Sequence, residues 1–296
     1  MPGLSRDRRV FFLANPDKPE ATEAMRTLQA FAQSRCDVVG AELGLDGAKA
    51  IEAKADRLIV LGGDGTLIAV ARSLGASQIP LIGVNVGKLG FLAEFSTDEL
   101  MKCFDDAVSD DSGVGRRTVL QVSVCRDGQV RDTSLAVNDC VIQAGPPFRI
   151  IRLGVSINSE HTGKPVSPVL PVTDISGDGL IVCTSSGSTA HNLSAGGPIM
   201  QAGVQAVVLT PLCAHSLTHR PLVIECDSVI DIRADSVNEG TTVIIDGQVS
   251  YALSQGDQVS IRRFDHDFLL VRNPLTADWH NLVSKLHWGR QPDYDR

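Results

Sequence analysis

The chain has 296 residues, enough for one large or two medium domains, each with its own core. With 43% hydrophobic and 21% charged residues, 27 Gly and 14 Pro, its composition excludes the disordered and fibrous classes. A net charge of −8 argues against non-specific binding to nucleic acid or an anionic membrane, so a phosphate ligand must be held locally by backbone amides, a helix N-terminus, a divalent metal or a few placed cations.

Residues 1–9 carry several Arg but lead only into the short apolar run 10–14, which fits neither a signal peptide nor a membrane span. The chain is therefore expected to be soluble and cytoplasmic. Seven cysteines, Cys36, Cys103, Cys125, Cys140, Cys183, Cys213 and Cys226, stand singly with no C-x-x-C pair and are expected to be buried free thiols.

In the first third, apolar runs alternate with helical spacing. Residues 10–13 form a strand-like run that ends in Ala14-Asn15-Pro16, and 20–33 then place Ala21, Ala24, Met25, Leu28 and Phe31 on one helical face. A second run, 57–61, stops at Gly62-Gly63-Asp64-Gly65, where Thr66 is expected to cap a helix reaching about Leu74. A third run, 79–84, precedes the loop Asn85-Val86-Gly87-Lys88-Leu89-Gly90-Phe91. Apolar strands separated by helices predict a parallel sheet covered on both faces.

From about Thr118 the texture changes. Residues 119–125 run into Asp127-Gly128 and 242–245 into Asp246-Gly247, the dipeptide of type I′ hairpins, while Ile151, Leu153, Val155 and Ile157 alternate. The predicted organisation is an α/β domain over 1–116 with a Rossmann-like parallel sheet, a β-rich domain over 117–272, and a segment 273–296 that is helical over 276–286.

Three motifs carry chemistry. Gly62-Gly63-Asp64-Gly65-Thr66 follows a buried strand, where a glycine-rich turn lets backbone N–H groups approach phosphate. A carboxylate in such a loop repels polyphosphate unless it holds a metal or takes the proton of an attacking hydroxyl. The same residues also suit a plain Gly-Asp-Gly turn with a helix cap. Asn138-Asp139 interrupts an apolar strand with an amide and an acid that can bind a vicinal diol, or can mark a bulge or strand end. The stretch 176–198 runs from a strand into small hydroxyl and glycine residues that close on Gly196-Gly197-Pro198, which suits a dinucleotide.

In this order, these motifs resemble the NAD kinase family, especially its bacterial branch. The resemblance takes in Ala14-Asn15-Pro16, Gly62-Gly63-Asp64-Gly65-Thr66, Gly87-x-Leu89-Gly90-Phe91-Leu92, Asn138-Asp139 and Asp178-Gly179-Leu180. It continues through Gly187-Ser188-Thr189-Ala190, Leu193-Ser194-Ala195-Gly196-Gly197-Pro198, His215-Ser216-Leu217, Arg220-Pro221-Leu222-Val223, Asp246-Gly247-Gln248 and Lys285-Leu286-x-Trp288. It implies a sandwich-like second domain, the segment 273–296 packed on the first domain, ATP as phosphoryl donor, NAD as acceptor, both bound between the two domains, and a divalent cation, Mg²⁺ or Mn²⁺, with no dedicated protein ligand. Homodimers or homotetramers are implied as well, with neither nucleic acid nor membrane as partner. Asp64 falls at the family's catalytic acid, with Gly62, Gly63, Gly65 and Thr66 around the nucleotide phosphates. Phe91 falls where a ring can meet adenine, and Asn138 and Asp139 at the ribose-binding pair. Asp178, Thr189, Ala190, His191, Asn192, Leu193 and Ser194 match positions lining the NAD site, with Arg149, Ser186 and Gln248 as outer members.

Three departures stand out. Asp139 replaces the usual Glu and is one methylene shorter; Ser185-Ser186 replaces Pro-Thr and loosens a turn; His191 replaces a Tyr, keeping a flat polar ring. Two other readings stay open on the residues alone: a lipid or sugar-phosphate kinase with a Gly-Gly-Asp-Gly loop, and a catalytically silent NAD(P)-binding regulator. A Ser-His-Asp hydrolase lacks its G-x-S-x-G elbow. His215 and His219, bracketed by Pro211 and Pro221, read as structural loop residues.

Overall fold

The computed structural model describes residues 7–87, 90–159, 173–276 and 280–286; Leu89 and Trp288 of the motifs above lie outside them. The backbone divides into two compact units. One combines Met1–Ser73, Ile79–Gly115 and Leu269–Arg296, and the other Leu74–Gln78 and Arg116–Phe268.

The first unit runs β1 (Arg9–Ala14), α1 (Pro19–Ala32), β2 (Asp37–Leu43), α2 (Ala48–Glu52), β3 (Arg57–Gly62), α3 (Asp64–Leu74), β4 (Leu81–Asn85), α4 (Thr97–Lys102), α5 (Phe104–Ser109) and β5 (Val114–Arg117). Pro19 opens α1, where its missing N–H has no intrahelical partner to lose, and Ala21, Met25, Leu28 and Ala32 bury one face at three- and four-residue spacing. Ser96 and Glu99 close a capping box at the start of α4: the Glu99 N–H donates to Ser96 Oγ and the Ser96 N–H to Glu99 Oε2.

The second unit holds β6 (Leu120–Arg126), β7 (Gln129–Ala136), β8 (Asp139–Gln143), β9 (Ile151–Ser159), β10 (Thr173–Gly177), β11 (Gly179–Thr184), α6 (His191–Ser194), β12 (Ala206–Leu212), β13 (Leu222–Glu225), β14 (Ser228–Ser236), β15 (Thr242–Ile245), β16 (Val249–Ala252) and β17 (Gln258–Arg263). The chain then returns to the first unit through β18 (Phe268–Val271) and α7 (His280–Leu286).

The first sheet has the order β2-β1-β3-β4-β18-β5. Strand β1 is parallel to β2 and β3, β3 to β4, and β18 to β4. All six residues of β3 are buried, as expected of a strand covered on both faces. In the second unit two six-stranded sheets, ordered β10-β9-β14-β17-β6-β7 and β13-β12-β11-β8-β15-β16, share one core. Leu153, Ile230, Ile232, Val259 and Ile261 of one sheet join Ile142, Leu180, Val182, Leu209 and Val243 of the other. The opposite face of β11, with Ile181 and Cys183, packs with Val141 and Val208 against Ala195 and Met200, so the whole strand is buried without alternation. Both predicted hairpins form, with Asp127 at φ 53°, Gly128 at 72°, Asp246 at 52° and Gly247 at 66°, the left-handed pair that a type I′ turn demands.

Two expectations are corrected. Thr66 does not cap α3, because the helix already begins at Asp64; Thr66 lies in its first turn, and its Oγ1 accepts a hydrogen bond from Asn15 Nδ2 at 3.0 Å. The cysteines are all free, but Cys213 is exposed and Cys125 half-buried. Cys213 stands at φ 44° just past the end of β12, where the chain leaves the buried strand. Among the described residues no helix is long and apolar enough to cross a membrane.

Candidate active site

Strand β3 delivers the chain to Gly62 and Gly63, and α3 starts on the next residue, so Asp64 stands where the carboxyl end of a parallel strand meets a helix N-terminus. Its half-buried carboxylate is held by three consecutive backbone N–H groups: Phe91 donates to Oδ2 at 2.7 Å, and Leu92 and Ala93 donate to Oδ1 at 3.0 Å each. Gly90 allows this approach, since a Cβ there would overlap Oδ1 of Asp64. The Asn15 bond to Thr66 ties the β1–α1 turn to the same loop. Beside it, Lys18 Nζ lies 3.5 Å from where a Gly63 Cβ would stand.

The C-terminal segment reaches this loop too. Asn273 is 2% exposed; its N–H donates to Glu94 Oε2 and its Nδ2 to the Glu94 carbonyl, both at 3.0 Å. Lys285, on α7, places Nζ 4.3 Å from the centroid of the Phe91 ring. Burial pushes its ammonium below the usual lysine range, while the carboxylates of Asp64 and Glu94 favour the charged form. One face of the Phe91 ring is therefore covered by a cation.

In the second unit a polar cluster gathers at one end of the sheet containing β8, β11 and β15. Asp139 opens β8 opposite Cys183 of β11. The Asp246 carboxylate accepts from the backbone N–H groups of Val137, Asn138 and Asp139 at 3.1, 2.7 and 3.1 Å. Thr184 N donates to the Asn138 carbonyl at 2.9 Å, and a Cβ on Gly187 would overlap that same oxygen. Ser185 and Ser186 enter a 3₁₀ turn, Ser186–Thr189, so the expected looser turn is in fact helical and buried through Ser188. Asn138 Oδ1 and Ser186 Oγ are both buried without a hydrogen-bond partner. Asp139 is 4% exposed, and burial, reinforced by the neighbouring Asp246 carboxylate, pushes its carboxyl up to about 7.

Beyond the turn, Thr189, Ala190 and Leu193 are partly exposed and His191 and Ser194 exposed, whereas Asn192 is fully buried. Asn192 anchors the segment: Nδ2 donates to the Ser188 and Pro198 carbonyls, and Oδ1 accepts from Thr210 Oγ1. Gln248 follows the Asp246-Gly247 turn and is exposed at the same end.

Asp178 and Arg149 are not brought to this cluster. Strand β11 runs from Gly179 to Thr184, which puts Asp178 at its other end, about 20 Å from Ser186 at the usual rise per residue. Exposed Asp178 lies near Cys213, whose thiol it holds above the usual range through a hydrogen bond. Exposed Arg149 presents its carbonyl to Asn238 Nδ2.

Residues 42–112 match the ATP-NAD kinase N-terminal domain and residues 137–273 the ATP-NAD kinase C-terminal domain. An NAD kinase of Rhodopirellula baltica is 35% identical over 287 residues, 97% of this chain and 89% of that protein. The chain belongs to the NAD kinase family. An NAD kinase of a Geobacter strain is 40% identical over 242 residues, 81% of each chain. The fold agrees with yeast NADH kinase complexed with NADH, at a TM-score of 0.84 and 24% identity over 99% of this chain and 91% of that one. It also agrees with an Archaeoglobus fulgidus NAD kinase in complex with ATP, at 0.73 and 23% over 94% and 98%.

Within this NAD kinase chain, sequence reasoning missed three side chains beside the predicted residues. Lys18 and Lys285 reach the Asp64 loop from distant parts of the chain, and Asp246 binds the backbone of the Asn138-Asp139 pair. Asp246 and Lys285 lay in family motifs, but no spacing signals a contact between residues so far apart.

Proposed function

We propose that the chain transfers the γ-phosphate of ATP to the 2′-hydroxyl of the adenosine ribose of NAD, giving NADP, with Asp64 receiving or orienting the hydroxyl proton. The observation that carries this reading is the placement of Asp64. A single carboxylate stands at a glycine-lined strand end and helix start, its orientation fixed by three N–H donors. A carboxylate offers about four acceptor positions, and the donors take two on Oδ1 and one on Oδ2. The remaining position on Oδ2 suits a hydroxyl donor. A ribose hydroxyl is a weak nucleophile, so a fixed acceptor for its proton lowers the barrier to attack on the terminal phosphorus.

Gly62, Gly63, Gly65 and Thr66 would form the turn that the donor phosphates approach, kept low by its missing Cβ atoms and closed by the Thr66 N–H bond to the Gly63 carbonyl. Among the described residues no three His, Cys, Asp or Glu side chains converge as a metal cage. One carboxylate beside an open glycine loop fits a Mg²⁺ or Mn²⁺ ion carried mainly by nucleotide phosphates, where it neutralises their charge. In the second unit, expected from the sequence over 117–272, the two buried oxygens without a partner, the acceptor Asn138 Oδ1 and the hydroxyl Ser186 Oγ, support binding of a ligand rich in hydroxyls, as NAD is. Asp139, Thr189, Ala190, His191, Asn192, Leu193, Ser194 and Gln248 would line the same region, Asn192 by holding the segment in place. Asp178 and Arg149, at the far end of β11, would reach the NAD bound by another copy in a homodimer or homotetramer. A cytoplasmic location belongs to the same reading.

The test is purified protein with ATP, Mg²⁺ and NAD, read by an NADP-specific dehydrogenase. Steady NADP formation is expected. NAD binding with no product over many turnovers' time would instead mark a silent dinucleotide-binding protein.

A further inference from the structure

The glycine loop at Asp64 lacks the lysine that polyphosphate loops commonly carry, with only Lys18 standing beside Gly63, and a placed cation is one means by which an acidic protein can hold a doubly charged terminal phosphate. Lys285 comes from α7, at the end of the described chain. Its Nζ is buried and has no hydrogen-bond partner among the described residues. It lies 4.3 Å from the centroid of the ring of Phe91, the residue whose N–H binds Asp64 Oδ2. The carboxylates of Asp64 and Glu94 are near enough to be felt, but neither forms a bond to it.

A cation over an aromatic face recovers only part of the hydration that a buried ammonium loses, and three N–H donors without an acceptor are a cost that folding alone does not explain. Such a group, in contact with a site residue, has the character of a binding residue held ready for an anion. Asn273, clamped on Glu94, fixes the start of the same C-terminal segment to the loop that follows Phe91. The helix carrying Lys285 is thereby tethered close to Asp64 and is not a loose tail.

From this we infer that Lys285 is the donor-binding cation of the Asp64 site: its ammonium takes a phosphate oxygen of the phosphoryl donor and replaces the lysine absent from the Gly62–Thr66 loop. The inference rests on the reading of that loop as the place where the donor phosphates lie. On donor binding the ammonium exchanges the Phe91 ring for a phosphate oxygen, which frees the ring face for a base.

Calorimetric titration of the full chain with inorganic tripolyphosphate tests this without using NAD. The parent is expected to bind, Lys285→Met to bind at least about 10-fold more weakly, as for a lost charge-assisted hydrogen bond, and Lys285→Arg to stay within a few-fold of the parent. Thermal melts establish that each variant is folded, and Lys285→Gln gives the same reading should the Met variant lose its cooperative melt. In turnover, Lys285→Met should raise the KM for ATP and leave the KM for NAD unchanged, a split that a purely structural lysine does not produce. Equal tripolyphosphate affinity in the parent and the Met variant overturns the inference, and so does a parent that does not bind tripolyphosphate. Absence of NADP formation alongside Lys285-dependent tripolyphosphate binding counts against the proposed reaction and leaves the anion site standing.

Discussion

The backbone N–H of Phe91 donates to Oδ2 of Asp64 at 2.7 Å, joining the residue expected to handle the proton to the residue expected near the base. Asp64→Asn keeps an oxygen for the Leu92 and Ala93 donors but turns an NH₂ toward Phe91. Turnover should fall by at least about 100-fold, the loss typical of a removed general base, with NAD affinity nearly unchanged. Hydrogen exchange at the Phe91 amide should speed up in the same variant. Near-parental turnover removes Asp64 from the chemistry.

Gly90 tests the same clamp from the other side. In Gly90→Ala the new methyl overlaps Asp64 Oδ1, so either the carboxylate rotates or segment 90–93 withdraws. Displacing a reacting group by about 1 Å costs on the order of 100-fold in rate. A kcat loss of that order, with a melting temperature close to the parent's, is the expected result from steady-state kinetics paired with calorimetry.

Asp139 predicts a pH dependence of stability. Its carboxyl titrates at about 7 in the folded chain against an ordinary 3.8, because burial and Asp246 disfavour the charge. Between these values the unfolded chain binds fewer protons than the folded one, so this contribution lowers stability as pH rises through the window and is complete above 7. Asp139→Asn stays neutral throughout. Its melting temperature relative to the parent should rise from pH 4 to pH 8, by at least about 3 °C. A constant difference across that range refutes the assignment.

Asp246 supports the backbone of residues 137–139 through three accepted hydrogen bonds. Asp246→Ala leaves those donors without their acceptor, and water can reach only some of them. A loss of about 2–4 kcal/mol in urea unfolding is expected, since each buried unsatisfied group costs about 1–3 kcal/mol. Relief of the like charge should also bring the Asp139 carboxyl down, visible as a weaker pH dependence of melting than in the parent.

Local chemistry made much of the fold legible. Runs such as 57–61 are too short and too apolar for anything but a covered strand, and Asp127-Gly128 and Asp246-Gly247 fix their turns by the left-handed angles they tolerate. Asp64 stands at the strand end and helix start that the glycine run signals, because a strand followed by small residues and a helix leaves few geometries for that position. Thr66 is not the cap, since the helix starts two residues earlier at Asp64, and only the Asn15 bond shows which role the hydroxyl takes.

The alternation of strands and helices, the two hairpin turns, the family, and which carboxylate stands at the strand end were legible from the residues alone, since each depends on neighbouring residues or on an ordered set of motifs. Tertiary structure alone decided what surrounds those residues. It put three N–H donors on Asp64, Lys285 against Phe91, Asp246 under Asn138 and Asp139, and Asp178 at the far end of β11. Such contacts join segments distant along the chain, and the energies that select them, burial of charge and satisfaction of backbone donors, exist only once the sheets have closed over a core.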